Sequence, residues 1–392
     1  MNIRYAGAQF AFWMTSCSVI SFAVVFLQTK GFSNSLIGIM MAVANLLGYL
    51  LSGIMSAIID RYEHITVFEM LHFTVAVQLI ATLAIIFMPD NPNLLTVIYT
   101  VAMSAALARN PLITQLCVHL QYSGENINFS VTRGIGSLAY VLASILLGNI
   151  VSRFSAGAVP YFTLIMLSVQ AAVDIGIQRK MKAAPKMLNT GVQEKASSTF
   201  EFIKQNPHFV LLGLGATLVF FGHNTVNNYL INIIRYLGGD EKIMGYAGGF
   251  TTAFELPIMF LFVPVMKKYK ISVSTAMKLS FIAFAMKNIL TAMATSILSL
   301  CAAASLQGFS YGVYTAACVS YAKSVIPQKD AAKAQALLTN VSMGGTILAG
   351  LFGGWLYDNI GVRFTMIVCA AVLTVGCVIG FLNVQKVNTQ EL

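Results

Sequence analysis

Charge is what this 392-residue chain has least of. Asp, Glu, Lys and Arg make up 10% of it, against about 25% in a soluble globular domain. So few charges cannot coat the exterior of a water-soluble protein this long, which excludes a large soluble enzyme. Carboxylates are scarcest: 14 acidic residues face 24 Lys and Arg, leaving a net charge of +10. There is no Gly-rich phosphate loop of the GxxxxGK[ST] type, so ATP-driven work finds no footing. No HExxH, GxSxG or paired-carboxylate constellation is present, and the chain is not expected to be an enzyme. The six cysteines (Cys17, Cys117, Cys301, Cys318, Cys369, Cys377) all lie inside apolar stretches without metal-ligand spacing or a CxxC pair. They read as small packing residues, neither a metal centre nor a disulfide framework.

What the chain has instead is apolar length. Hydrophobic residues are 57% of the sequence, the mean hydropathy is +0.76, and disorder is excluded. A membrane-crossing helix needs about 20 mostly apolar residues. Twelve such runs follow one another near 9–28, 35–59, 65–88, 95–120, 131–152, 158–178, 208–233, 242–266, 273–295, 297–322, 334–357 and 364–385. The first run is expected to persist as a helix, since no small-residue cleavage site follows it. Basic residues fall in the short loops: with a cytoplasmic N-terminus, seventeen Lys and Arg lie inside and only Lys30, Arg153, Arg235, Lys242 and Arg363 outside. That distribution places both termini in the cytoplasm and suits a plasma-membrane protein better than a nucleic-acid binder.

The longest polar stretch, Arg179 to Pro207, separates two parts of nearly equal length. The expected organisation is an N-terminal six-helix half (1–178), a cytoplasmic linker (179–207) and a C-terminal six-helix half (208–392). At the end of the linker, Ser198 to Gln205 reads either as a tether or as a short surface helix with Phe200 and Ile203 toward lipid. The halves also repeat. Gly38 to Asp60-Arg61 and Gly245 to Lys267-Lys268 are equal intervals ending in charge, and Leu147-Gly148 in span five matches Gly353-Gly354 in span eleven.

Two parallel six-span repeats joined by a basic loop resemble the major facilitator superfamily. Ser56-Ala57-Ile58-Ile59-Asp60-Arg61-Tyr62-Glu63-His64 resembles its loop 2–3 signature, keeping the Asp and Arg, and Gly354 to Gly361 resembles a related end of span eleven. The fold the resemblance implies is an all-α membrane protein of twelve transmembrane helices in two pseudo-repeat halves. Within the superfamily the chain is most similar to the lactose-permease-like branch of oligosaccharide, nucleoside and phenylpropionate proton symporters. Asn128 to Ser137 resembles that branch's start of helix five, Gly245 to Phe260 its acid-bearing helix eight, and Ala304 to Tyr314 its helix ten. Departures fall on Lys287 for an arginine, Gln115 for an acid, and Gln307 and Ser310 for the helix-ten His and Glu, so a diverged substrate is implied.

An ionisable side chain at mid-membrane costs about 3 kcal/mol or more, so each needs a reason. Three stand at that depth: Arg109 in span four, Glu255 in span eight and Lys287 in span nine. Three roles are open to Glu255: loading and releasing a proton with Lys287 as its tuning partner, a structural ion pair with Lys287, or direct contact with substrate. Arg109 and Lys287 either hold an anionic group of the substrate or neutralise Glu255. Asn224, Asn228 and Asn232 recur every four residues on span seven, one helical face, beside His223 and Asn227. Gln307, Tyr311 and Tyr314 on span ten, and Arg133, Ser137 and Tyr140 on span five, suit a sugar, nucleoside or aromatic acid, or else ordinary packing. Asp60 and Arg61 are an inside gate by resemblance. Asp174 and Glu69, near the cytoplasmic ends of their spans, are expected to pair with loop cations.

The reading is a secondary transporter: proton-coupled symport of a small polar organic solute by alternating access. No metal and no cofactor is expected beyond the proton as coupling ion. The expected partners are the solute and the lipid bilayer, with no nucleic acid, and the chain is expected to act as a monomer. Two alternatives stay open: a proton-driven exporter of amphipathic compounds, and a non-transporting sensor on the same scaffold.

Overall fold

The computed structural model describes residues 2–62, 64–88, 91–180 and 198–387. Glu63 of the loop signature, Pro89-Asp90 and the linker stretch 181–197, with Lys182, Lys186 and Lys195, lie outside the described residues. Every described element is helical. Among the described residues eight helices are long and apolar enough to cross a membrane, ten if each of two bent pairs counts as one span. The remaining two of the twelve runs are Pro92–Tyr122, a helix interrupted in hydropathy by Arg109-Asn110-Pro111, and the segmented Ile297–Ala304 with Val313–Val325.

Helix starts obey local chemistry. The side chains of Ser33, Asn91, Asn128, Ser272 and Ser296 each accept a backbone N–H of the first turn of spans two, four, five, nine and ten. Thr66 and Glu69 form a reciprocal capping box on span three. Such caps satisfy N–H groups that a helix leaves unpaired. Glu69 therefore serves its own helix start and accepts from Gln178 at 3.5 Å, in place of a loop cation. Ser198 caps Thr199–Gln205, a short helix with Phe200 and Ile203 exposed and Phe202 buried, so the end of the linker is a helix and not a tether.

The chain divides into two compact units, Met1–Leu188 with Gly239–Gly249, and Asn189–Gly238 with Phe250–Leu392. In the first, span one packs on spans five and six, span two on span four, and span three on spans four and six. In the second, span seven packs on spans eleven and twelve, span eight on span ten, and span nine on spans ten and twelve. Each pairing of the first unit recurs in the second six spans later, so the repeat visible in sequence is a repeat of packing.

Small residues allow the close crossings, as they do where lipid supplies no hydrophobic drive between helices. A Cβ on Gly215 of span seven would lie 2.6 Å from the nitrogen of Gly380 and 2.7 Å from the oxygen of Gly376, both on span twelve. In the first unit a Cβ on Gly148 would lie 2.8 Å from Cα of Gly245, and Ser144 Oγ donates to the Gly245 carbonyl at 2.9 Å.

Five spans are interrupted. Spans one, ten and eleven contain π-helical turns at Cys17–Ser21, Gly308–Gly312 and Ala349–Gly353. Span seven stops at Tyr229, and span eight divides between Glu241–Ala253 and Glu255–Tyr269. Irregular backbone at membrane depth is tolerated where protein or a wet cavity surrounds it, and π-turns gather at functional sites. The breaks in spans eight and ten lie beside the ionisable residues that the sequence singles out.

Candidate functional site

Two of those residues, Glu255 and Lys287, are joined through Gln307 in the second unit. Lys287 Nζ donates to Gln307 Oε1 at 2.5 Å, and Gln307 Nε2 donates to Glu255 Oε1 at 2.7 Å. A single amide thus joins lysine to carboxylate, with its oxygen and nitrogen pointing opposite ways. Lys287 and Gln307 are buried, at 3% and 4% exposure, whereas Glu255 is half-buried. Glu255 opens the helix Glu255–Tyr269 directly after the break at Phe254. Gly308 makes the meeting possible: a Cβ there would run into the Phe254 carbonyl oxygen. The π-turn that begins at Gly308 thus lets span ten lie against the break in span eight, and Gln307, one residue earlier, reaches Glu255. The direct ion pair left open by the sequence is replaced by a bridge through an amide. Ser310 spends its hydroxyl within its own helix, on the Leu306 carbonyl at 2.9 Å.

Beside this line stands an aromatic group. The His223 ring stacks on Tyr311 with centroids 5.6 Å apart and 11° between planes, and Asn227 Nδ2 lies 2.9 Å from His223 Nε2. Among the described residues His223 Nδ1 is buried without a hydrogen-bond partner. Tyr311 is half-buried, but Tyr314 is enclosed by Phe220, Phe281 and Phe284. Asn224 Nδ2 donates to Thr346 Oγ1 on span eleven at 2.7 Å, joining two helices. Asn228 is the half-buried last residue of Pro207–Asn228, and the break at Tyr229 takes Asn232 out of that helix. The stripe of three amides expected on one face is therefore two, because the chain stops being one helix before the third.

The first unit holds two separate clusters. Between spans one and five, the Arg133 guanidinium lies 4.1 Å from the Trp13 ring centroid and donates to Ser137 Oγ at 3.0 Å. Tyr140 sits edge-on to Trp13 and shares a short hydrogen bond with Ser21. Arg133 and Tyr140 are half-buried. Trp13 and Ser21 were not among the residues anticipated from sequence. In sequence span one is read only as an apolar run, and Trp13 within it is one of two tryptophans in the chain.

The other cluster is sealed. Arg109 has no exposed surface and donates to Thr74 Oγ1, to the Thr74 carbonyl and to Gln78 Oε1 on span three. Asp174 of span six, also fully buried, accepts from Gln170 at 2.8 Å and lies within electrostatic reach of Arg109. The expected pairing of Asp174 with loop cations gives way to burial: its side chain has no exposed surface and accepts from Gln170 of its own helix. Arg109 and Tyr314, expected to line a solute site, are both enclosed in helix packing. Gln115 is half-buried, with Oε1 unpartnered among the described residues. Asp60 and Arg61 are exposed at the end of span two, with Arg61 over the Tyr62 ring at 5.6 Å.

A repeat of six-helix packing with broken apolar spans defines a polytopic helical membrane protein of the major facilitator fold. The chain belongs to the MFS_1 like family, whose model matches residues 2–368. Similar solved structures are transporters too. Two structures of the nucleoside transporter NupG are 14% identical over 98% of this chain and 100% of theirs, with TM-scores of 0.79 and 0.75. An inward-facing bacterial homologue of the human lysosomal transporter Spinster is 14% identical over 97% of this chain and 95% of its own, at a TM-score of 0.71. An auto-inhibited peptide transporter of the POT family is 9% identical over 99% and 98%, also at 0.71.

Proposed function

We propose that the protein is a secondary transporter that couples entry of a small polar organic solute (a sugar, nucleoside or aromatic acid) to the entry of a proton by alternating access. The observation that carries this reading is the line Glu255–Gln307–Lys287. Glu255 is half-buried at a helix break, so one carboxylate can take a proton from water and lose it again. Lys287 is held on the amide oxygen and keeps a cation within reach of the ionised carboxylate. Protonation of Glu255 removes the negative charge that the amide and lysine are arranged to serve. The break at Phe254 and the π-turn at Gly308–Gly312 supply backbone able to follow that change. Tyr311 beside Gln307, and Arg133 with Tyr140 and Trp13 in the first unit, are the half-buried polar and aromatic groups available to a solute. Asp60 and Arg61 act at the cytoplasmic gate, as the loop signature implies. The Lys and Arg distribution puts both termini in the cytoplasm of a plasma-membrane protein.

The test is proton movement into proteoliposomes that hold a trapped pH dye, with pools of sugars, nucleosides and aromatic acids added outside. Acidification with one pool, lost in Glu255→Gln, is the expected result and names the solute class. Equilibration of a labelled solute with no proton movement would overturn symport and return Glu255 to a structural role.

A further inference from the structure

Away from the polar networks, a groove of about 510 Å³ runs between the helices of span nine, Val273–Met293, and span twelve, Gly361–Asn383. Its floor is Phe281, Ala285, Thr374 and Cys377, and its walls include the exposed side chains of Ile282, Met286, Val378 and Leu382. The floor offers no free hydroxyl donor, because Thr374 Oγ1 donates to the Ala370 carbonyl of its own helix at 2.7 Å. On span twelve the groove extends from Leu382 to Thr374, about 12 Å at 1.5 Å per residue. It begins in the last turn of that helix, and one leaflet of a bilayer's hydrocarbon core is about 15 Å deep. The groove therefore has the polarity and nearly the depth of one leaflet.

Its membrane-surface end is marked by charge. Lys278 lies one turn before Phe281 and Ile282 on span nine, with Nζ 5.1 Å from the Phe381 ring centroid. Ser274, a further turn away, donates to the Gln385 carbonyl at 2.6 Å and accepts from the Val387 nitrogen at 3.0 Å. Those two bonds hold the segment after span twelve, and the exposed Lys386 within it, against the same end of the helix pair. Among the described residues no carboxylate pairs with Lys278. A lysine in this place buries its stem in apolar surroundings and carries its ammonium to the headgroup level.

We propose that this groove is a binding site for an anionic glycerophospholipid, with one acyl chain between Ala285, Cys377 and the exposed walls and its phosphate on Lys278 and Lys386. The leaflet, the cytoplasmic one, rests on the orientation given under Proposed function; the lipid class does not. Basic groups between transmembrane helices at a membrane surface select anionic headgroups, at about 1 kcal/mol per cation, which is about fivefold in binding.

Native mass spectrometry of the full chain, incubated with equal phosphatidylglycerol and phosphatidylcholine of matched acyl chains, reads this selection directly. The expected result is about fivefold or greater retention of phosphatidylglycerol, falling to parity in Lys278→Gln/Lys386→Gln, with both lipids reduced in Ala285→Phe. Equal retention by the unaltered chain, or undiminished selectivity in the double variant, would overturn the site. If a variant fails to fold, the unaltered chain still decides the matter through phosphatidylglycerol carrying a diazirine in its acyl chain. Labelling concentrated on residues 281–290 and 374–382 supports the groove, and labelling no denser there than on the exposed face of span two refutes it. Neither readout involves solute or proton movement, so this site stands or falls separately from symport.

Discussion

In the first unit Arg109 and Asp174 are wholly enclosed between spans three, four and six, and Thr74, Gln78 and Gln170 serve them with hydrogen bonds. In the second, Glu255 stays half-buried at the break in span eight and meets Lys287 only through the Gln307 amide. Both arrangements put a cation and a carboxylate at membrane depth, where charge is costly. The difference is access. Arg109 and Asp174 have no exposed surface, so solvent does not reach them. Glu255 keeps partial exposure and meets its cation through one amide, and the proposed proton coupling rests on that access. The units thus share helix pairings but divide the labour of their polar groups.

The largest effect expected from this comparison is on the sealed Arg109 cluster. Arg109→Ala leaves the buried oxygens of Thr74 and Gln78 without their donor and is expected to cost about 1–3 kcal/mol for each, seen as a large loss of thermal stability and folded yield. Arg109→Lys, which keeps a cationic donor, should recover part of it. Glu255→Gln keeps shape and hydrogen bonding and should leave stability nearly unchanged. Equal losses in Arg109→Ala and Glu255→Gln would erase the distinction between the two networks.

Next in size is Gly308→Val. Its side chain meets the Phe254 carbonyl, and overpacking of this kind costs about 1–3 kcal/mol. Uptake should fall at least tenfold in a chain that still purifies as a folded protein. Gln307→Leu removes the bridge and leaves Lys287 without its acceptor, at about 1–3 kcal/mol. Gradient-driven uptake should drop with it, while Gln307→Glu, which restores an acceptor for Lys287, should keep the fold and shift the pH profile of uptake.

These positions differ in how far sequence alone revealed them. The spans were plain, because twenty-residue apolar runs have few readings, and the repeat was visible in matched glycines and charges. Glu255 and Lys287 stood out through the cost of charge in lipid. That Gln307 joins them did not, because the contact spans 52 positions in sequence and depends on a π-turn and a glycine. Asp174 was misplaced because nearness to a helix end measures depth and says nothing of which way a side chain points. The third amide of span seven was lost to a break at Tyr229 that no proline or glycine announces.

Smaller effects sharpen the comparison within each unit. Arg133→Gln removes the guanidinium from Trp13, a cation–π contact of about 0.5–1 kcal/mol at a part-exposed site. It should raise the half-saturating solute concentration a few-fold, with a stability loss no larger than that contact energy. Asn224→Ala removes one interhelical hydrogen bond, about 0.6 kcal/mol, and should move thermal stability slightly while leaving uptake intact.

The most direct test of the central claim, that Glu255 carries the coupled proton, compares two modes of transport in one variant. Glu255→Gln in proteoliposomes should exchange labelled for unlabelled solute across the membrane at close to the unaltered rate, since that mode needs no net proton movement, and should fail to accumulate solute under an inward proton gradient. Accumulation that survives in Glu255→Gln would contradict the account and place the coupling elsewhere in the chain.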